Sequence, residues 1–312
     1  MSKPECRDRA PIVDDREVFF TWSSYRGEKG MTVAQLKNGH KVGAVVLAYM
    51  VENHVRDVIE NLPCSIDRIY VVDDASPDKT GEIVQALNLP RVQLIRHETN
   101  RGPGAALLTG YQAALKDDMD IVVKVDGDGQ MPLERTEDLI VPIMEGKADY
   151  TKGDRLSIPR HRQAMPRFRL FGNLMLTWLT RVASGYWHIN DSQNGFTAIS
   201  RKALEIDGLK LYPYYGYLND LLVNLNVHGL KVLDVPMPAR YGDEKSCIKL
   251  RSFVPRVSVF LLRRFIWRFR MKYIRKQRTI SVCMEVPRCN IGGVQKMNDQ
   301  SLSTLSGGEG SR

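Results

Sequence analysis

The chain has 312 residues, 43% of them hydrophobic, enough to bury a substantial core in one large domain or two small ones. Lys and Arg exceed Asp and Glu by 45 − 36 = 9, which suits anionic partners: nucleic acid, acidic lipid headgroups or phosphorylated small molecules. No early segment has the apolar core of a signal peptide, and no run reaches the ~18 apolar residues of a membrane span, so secretion by that route and a bilayer-crossing helix are not expected.

The five cysteines (Cys6, Cys64, Cys247, Cys283 and Cys289) are scattered, and none forms a C-x-x-C pair. Reduced thiols in a cytosolic setting are therefore expected, not a zinc site.

Residues 1–38 form a mixed, polar N-terminal extension with one short ordered piece around residues 18–22. The texture changes at Lys41. Residues 42–48 are a near-continuous apolar run, the pattern of a parallel strand covered on both faces. Val55, Val58, Ile59 and Leu62 then recur at helical spacing. A second strand is expected over 68–72, a helix after Thr80, a third strand over 92–95, a helix over 105–115 and a fourth strand over 121–125. Strand and helix alternate as βαβ units do, which predicts an α/β fold with a mostly parallel, doubly wound sheet flanked by helices. Ligands of such sheets sit at the carboxyl ends of the strands. Beyond Pro132 the pattern loosens, with helices expected over 167–183 and 220–230 and a strand over 231–235. The expected organisation is an α/β catalytic domain over 39–248, a basic amphipathic segment over 249–280, and a polar tail over 281–312 of disordered composition.

The acids fall where that fold places ligands. Asp126-Gly127-Asp128-Gly129-Gln130 sets two carboxylates and an amide two residues apart, directly behind the fourth strand. Alternate side chains share a face, so these oxygens can converge on one hard cation, Mg²⁺ or Mn²⁺, that clamps a diphosphate. The same residues also suit a loop of solvated acids.

Asp73 and Asp74 end the second strand, followed by Ser76, Asp78 and Thr80 where a helix begins. Asp78 or Ser76 suits the cap of that helix, and a neighbouring acid is placed to meet a nucleobase or ribose. Asn100-Arg101-Gly102-Pro103-Gly104 lacks the lysine and hydroxyl of a P-loop, so its glycines are assigned to a tight turn and close helix packing. Arg155 lies beyond the metal site, with Arg167 and Arg169 further on. Asp191-Ser192-Gln193-Asn194-Gly195-Phe196 reads as a compact polar turn. Asp220 precedes an apolar helix as its N-cap or as a general base. Arg240 and Lys245 supply cations suited to closing over a diphosphate.

The ordered series Ala48-Tyr49…Glu52, Asp73-Asp74-Ala75-Ser76…Asp78…Thr80, Asn100-Arg101-Gly102…Gly104, Asp126-Gly127-Asp128-Gly129-Gln130, Gly153…Arg155 and Asp191…Gly195-Phe196 resembles family 2 of the inverting glycosyltransferases. Within that family it is most similar to the polyprenyl-phosphate (dolichol-phosphate) mannosyl- and glucosyltransferases, over about residues 41–246. The resemblance implies an A-type glycosyltransferase fold and a nucleotide-diphosphate-sugar donor held by Mg²⁺ or Mn²⁺. It places Ala48, Tyr49, Glu52 and Asp74 around the nucleoside, and Asp126 by the nucleotide and sugar. Asp126, Asp128 and Gln130 make up the metal set, with Asp128 and Arg155 also among the catalytic residues. Arg155, Arg169 (or Arg167), Arg240 and Lys245 surround the donor and acceptor phosphates. Two departures are visible: Tyr49-Met50-Val51-Glu52 where relatives have Tyr-Asn-Glu, and Gly242-Asp243-Glu244-Lys245-Ser246 where they have Gly-x-Ser-Lys.

Residues 254–276 mix Phe, Leu, Ile and Trp with Arg at helical spacing, which suits a helix lying in an anionic membrane interface. The alternatives are a helix packed on the core and a nucleic-acid patch, though no nucleic-acid motif accompanies it. The expected activity is transfer of a hexose from a GDP- or UDP-sugar to a polyprenyl-phosphate carrier, by a protein peripheral on the cytoplasmic face of a membrane. The alternative is elongation of a saccharide, which needs Asp220 or Asp191 as base. A lipid phosphate, already anionic, needs none.

Overall fold

A computed structural model describes residues 37, 39–159, 165, 167–206, 208–214, 216–238 and 250–275. The expectations for the N-terminal extension, for Arg240 and Lys245 and for the tail fall on residues outside this set.

The strands are β1 (Val42–Ala48), β2 (Arg68–Asp73), β3 (Val92–Arg96), β4 (Ile121–Asp126), β5 (Tyr150–Asp154), β6 (Thr197–Ser200) and β7 (Val232–Pro236). They form one sheet in the order β3-β2-β1-β4-β6-β5-β7. β1 pairs in parallel with both β2 and β4, and β2 with β3. β6 runs antiparallel to both of its neighbours, and β7 is parallel to β5. The mostly parallel, doubly wound sheet is therefore present, with one reversed strand.

The helices are α1 (Val55–Asn61), α2 (Thr80–Ala86), α3 (Pro103–Lys116), α4 (Thr136–Met144), α5 (Arg167–Ser184), α6 (Arg201–Leu204), α7 (Tyr217–Val227) and α8 (Leu250–Phe269). They cover both faces of the sheet, which explains why β1 is apolar throughout: every one of its residues is buried. Val42, Ala44 and Val46 enter one core with Val55, Val58 and Ile59 of α1 and Leu139 and Ile140 of α4. Val45 and Leu47 enter the opposite core with Ala106, Leu107 and Tyr111 of α3 and Leu218, Leu221 and Leu222 of α7.

Two strands escaped the sequence pattern. β5 reads Tyr-Thr-Lys-Gly-Asp, yet all five residues are buried, so its burial follows ion pairing instead of apolar content. β6 has only four residues. The helix expected over 220–230 starts earlier, at Tyr217, behind Gly216 at φ 112°.

The segment expected to be basic and amphipathic is helix α8 for most of its length, and it packs against α5 and α7. Val257 and Leu261 are buried with Leu176 and Ala183 of α5 and Val223 of α7. One side of the helix thus belongs to the folded unit.

Helix α3 approaches β1 closely at Gly110, where a Cβ would lie 2.4 Å from Val45 Cγ1. Alanine improves helix propensity by up to ~1 kcal/mol, but overpacking a β-branched neighbour on a buried strand costs ~1–3 kcal/mol. Gly110→Ala should therefore lower the urea midpoint. A raised midpoint would show that α3 can shift off β1.

Candidate functional site

The parallel pairing brings four loops to one edge. Ala48 stands opposite Asp73 on β2, and Leu47 opposite Asp126 on β4. β1 is the strand from which the chain winds both ways, so the crevice at its carboxyl end is the switch point where such sheets take ligands.

The loop after β1 is bonded to the loop after β2. The Met50 N–H donates to Ser76 Oγ at 3.2 Å, Val51 N–H to Thr80 Oγ1 at 3.0 Å, and Glu52 N–H to Asp78 Oδ2 at 3.3 Å. In return the Lys79 N–H donates to Glu52 Oε2 at 3.0 Å. The Asp74 N–H donates to the Ala48 carbonyl. Glu52 thus braces the edge, while Tyr49 points outward and is 47% exposed. Met50 (φ 55°) and Ala75 (φ 58°) hold left-handed backbone without being glycine. Such strain is a mark of ligand-binding loops. Beside Ala75 opens a recess of about 440 Å³ lined by Ser76, Arg96, His97 and Glu98.

Neither Ser76 nor Asp78 is the N-cap of α2, which is Lys79 and has no side-chain cap bond. Asp78 instead accepts the Thr80 N–H at 3.1 Å. Asp73 is fully buried, accepts the Ser76 N–H and pairs with Arg96. Asp74 is buried and faces the loop after β3. Its Oδ1 accepts the Arg101 N–H at 2.9 Å and meets His97 Nδ1 at 2.7 Å, while Oδ2 accepts the Gly102 N–H at 2.7 Å. Most of its acceptor capacity is therefore spent on holding that loop down. Gly102 sits at φ 88°, and a Cβ on Gly104 would meet the Tyr212 carbonyl at 2.0 Å. The two glycines serve the turn and the close packing, as expected.

At the end of β4, Asp126, Asp128 and Gln130 are all half-buried around Gly129 at φ 74°. Asp128 Oδ1 accepts the Gln130 N–H at 3.0 Å, which closes the turn. The Gly127 N–H bonds the Leu47 carbonyl, tying this turn to β1. His54, just before α1, packs over Gly129. Asp126 Oδ1 lies 2.5 Å from Nζ of Lys124, a wholly buried lysine two residues earlier on the strand. Among the described residues no group of three or more His, Cys, Asp or Glu forms a cation cage. The turn offers two carboxylates and an amide, all hard oxygen donors. That set fits Mg²⁺ or Mn²⁺, which complete their shell with phosphate oxygens and water.

The third group of charges lies under β5 and β7. Arg155 grips Asp191 with two bonds, Nε to Oδ2 at 2.7 Å and Nη2 to Oδ1 at 3.1 Å. Burial alone would raise the Asp191 carboxyl. The Arg155 guanidinium, its hydrogen bonds and Lys152 outweigh that and hold it below the usual carboxylate range. Asp191 is fully buried and anchors Arg155. Asp154 accepts the N–H groups of Leu156 and Ser157 and the Asn190 amide.

The N-cap reading of Asp220 is corrected. The N-cap of α7 is Gly216, and Asp220 lies buried in the first turn, with Oδ2 on the Tyr212 N–H at 2.8 Å and Oδ1 2.5 Å from Arg264 Nε of α8. Burial raises its carboxyl and Arg264 opposes the rise. One oxygen is thus bonded to a backbone N–H and the other ion-paired, and the residue is not the cap of α7. Arg169 stands in the first turn of α5.

Reading from sequence passed over two residues that the structure brings to this edge, Lys124 and His54, and named Gly195 only as part of a turn motif. The signal for Lys124 was a lone cation inside an apolar strand.

Asp234 on β7 gives the cluster a pH signature. Burial pushes its carboxyl from 3.8 up to about 6, while Lys152 and the Asn190 N–H pull the other way. The folded state therefore holds this proton more tightly than the unfolded chain, and stability falls as pH rises between about 3.8 and 6. The loss is on the order of 2–3 kcal/mol. Asp191 acts with the opposite sign, its contribution being lost as pH falls below the unfolded value. Asp234→Asn should flatten chemical-denaturation stability between pH 4 and 6 (approximate limits). An unchanged slope would assign the effect elsewhere.

Residues 44–206 match the model of glycosyl transferase family 2. The UDP-N-acetylglucosamine–dolichyl-phosphate N-acetylglucosaminyltransferase of Methanococcus voltae is 31% identical over 215 residues, covering 64% of this chain and 85% of that one. The polyprenol monophosphomannose synthase of Mycolicibacterium smegmatis is 30% identical over 192 residues, 57% of this chain and 72% of its own. Glucosyl-3-phosphoglycerate synthase from Mycobacterium tuberculosis, solved with Mn²⁺, UDP and phosphoglyceric acid, superposes with a TM-score of 0.59 at 20% identity, covering 76% of this chain and 84% of that one. That last likeness is one of fold. The β1–β4 edge and the sequence match agree: the chain belongs to glycosyl transferase family 2.

Proposed function

We propose that the chain transfers a hexose from a nucleotide-diphosphate sugar to a polyprenyl phosphate at a membrane surface, with inversion. The observation that carries the choice of acceptor is the burial of both candidate bases. Asp191 is locked to Arg155 and Asp220 to Arg264 and the Tyr212 N–H. A sugar hydroxyl must lose a proton as it attacks, whereas a lipid phosphate arrives as an anion. The two relatives described above, one acting on dolichyl phosphate and the other a polyprenol monophosphomannose synthase, support the same acceptor class.

In this reading Ala48 and Tyr49 border the nucleoside, with Glu52 and Asp74 bracing the loops around it. Asp126, Asp128 and Gln130 would hold Mg²⁺ or Mn²⁺, which would supply positive charge to offset that of a diphosphate leaving group. Asp128 orients the Gln130 backbone, and Arg155, fixed by Asp191, faces the acceptor side. Arg169, Arg240 and Lys245 are assigned to the phosphates on the strength of the motif alone.

Membrane attachment rests on α8 and its neighbour. Val259, Leu262, Ile266 and Phe269 recur at steps of three and four along α8 and remain exposed, as do Phe171, Leu174 and Trp178 on α5. Exposed Arg263, Arg270 and Lys272 flank the α8 stripe. No helix among the described residues is long and apolar enough to cross a bilayer. An apolar stripe rimmed by cations suits the headgroup region of an anionic bilayer.

Purified protein should transfer label from a GDP- or UDP-sugar to polyprenyl phosphate and not to soluble saccharides, and chelator or Asp128→Ala should abolish transfer. Asp220→Asn, assayed on folded protein, should keep kcat within about threefold, while a loss of ~10²-fold would point to a hydroxyl acceptor and a base. Leu262→Asp/Ile266→Asp should lose flotation with anionic vesicles. Flotation equal to that of the parent protein would remove the attachment proposal.

A further inference from the structure

Lys124 is an unexpected side chain for an apolar strand. It sits in the middle of a strand otherwise made of Ile121, Val122, Val123 and Val125, and it is wholly buried. Lysine is almost never fully buried unless paired, and among the described residues its carboxylate partner is Asp126, with Nζ 2.5 Å from Oδ1. The two are i and i+2 on one strand and so share a face. The Tyr217 ring lies 5.9 Å from the ammonium, and Thr197 of β6 stands opposite Lys124 in the antiparallel register.

Gly195 completes the arrangement. A Cβ there would lie 2.6 Å from Lys124 Nζ and 3.0 Å from Asp126 Oδ2. No positive φ is recorded at Gly195, so the conformational freedom of glycine is not what the site needs. What it needs is the missing side chain, which leaves room for the ammonium and the carboxylate together.

We infer that Lys124 is a positioning residue for the donor site: its buried ammonium fixes and offsets the Asp126 carboxylate, and Gly195 is the space that permits the pair. This rests on the reading of the β4 turn as the diphosphate and metal site. Two consequences follow from the charges. The acid, balanced from below, does not repel an incoming diphosphate. The same pairing makes Asp126 a weaker partner for a divalent cation, so the cation is drawn mainly by Asp128, Gln130 and the phosphates. Lys124 thereby makes cation binding depend on the nucleotide arriving with it.

The test is calorimetric binding of UDP and GDP with and without Mn²⁺, and of Mn²⁺ alone, to the full chain. Lys124→Met keeps the length and the apolar stem and removes the charge. Metal-free nucleotide binding should weaken about tenfold, and binding of Mn²⁺ alone should tighten by a similar factor. Gly195→Ala, which crowds the ends of both Lys124 and Asp126, should shift both constants in the same directions. In an Asp126→Asn background neither substitution should change them further, because the coupled partner is gone. A merely structural lysine would lower the melting temperature and leave both constants unmoved. If Lys124→Met does not fold, the Gly195→Ala constants decide alone. Wild-type binding with unaltered constants in the variants overturns this inference only. Absence of nucleotide and Mn²⁺ binding in the wild type overturns the donor-site reading and this inference with it.

Discussion

Everything at the candidate site depends on β1 being paired in parallel on both sides. That pairing sets Ala48 beside Asp73 and Leu47 beside Asp126, so that acids far apart in sequence end at one height on one edge. A register slip of a single residue would turn every alternate side chain of β1 into the wrong core. The pairing is secured because both faces of β1 are covered, Val42, Ala44 and Val46 by one helical layer and Val45 and Leu47 by the other. Hydrophobic burial on two sides thus fixes the position of polar groups at the strand end.

The edge is then stiffened by hydrogen bonds between loops. Backbone N–H groups of residues 50–52 donate to Ser76, Thr80 and Asp78, and Asp74 draws the N–H groups of Arg101 and Gly102 inward. A bond of this kind contributes a net ~1 kcal/mol at most sites, so no single one decides stability. Together they hold two left-handed, non-glycine residues, Met50 in the loop after β1 and Ala75 beside the recess. The ion pairs under β5 have another character. Buried ion pairs add little net stability against apolar replacements, but losing one partner is costly. Their effect here is placement: Arg155 is held by Asp191, and Asp220 joins the start of α7 to α8 through Arg264.

Much of this was legible in the sequence. The apolar runs at 42–48, 68–72, 92–95 and 121–125 became β1 to β4, with Asp74, Asp126 and Asp128 at their ends, because a doubly covered parallel strand leaves a continuous apolar signature. β5 left none, since Lys152 and Asp154 are buried through partners on other elements, Asp234 and Asn190. The same cause hid the state of Asp191 and Asp220. Burial of a carboxylate follows from where Arg155 and Arg264 come to rest, and no local pattern records that. Lys124 was visible as an anomaly in an apolar strand, but its meaning required Asp126 and Gly195 to be seen around it. The amphipathic stretch at 254–276 carried three readings; α8 shows a packed side at Val257 and Leu261, while Leu262 and Ile266 remain exposed.

The central claim is that a divalent cation joins the β4 turn to the diphosphate of a sugar nucleotide. Crystals of the full chain grown with Mn²⁺ and a nucleoside diphosphate, with data collected at the manganese edge, test it most directly. The account predicts one anomalous peak within about 2.2 Å of oxygens from Asp128 and the diphosphate. Nucleotide bound at this edge with no metal between it and the turn, or an anomalous peak elsewhere in the fold, would contradict it.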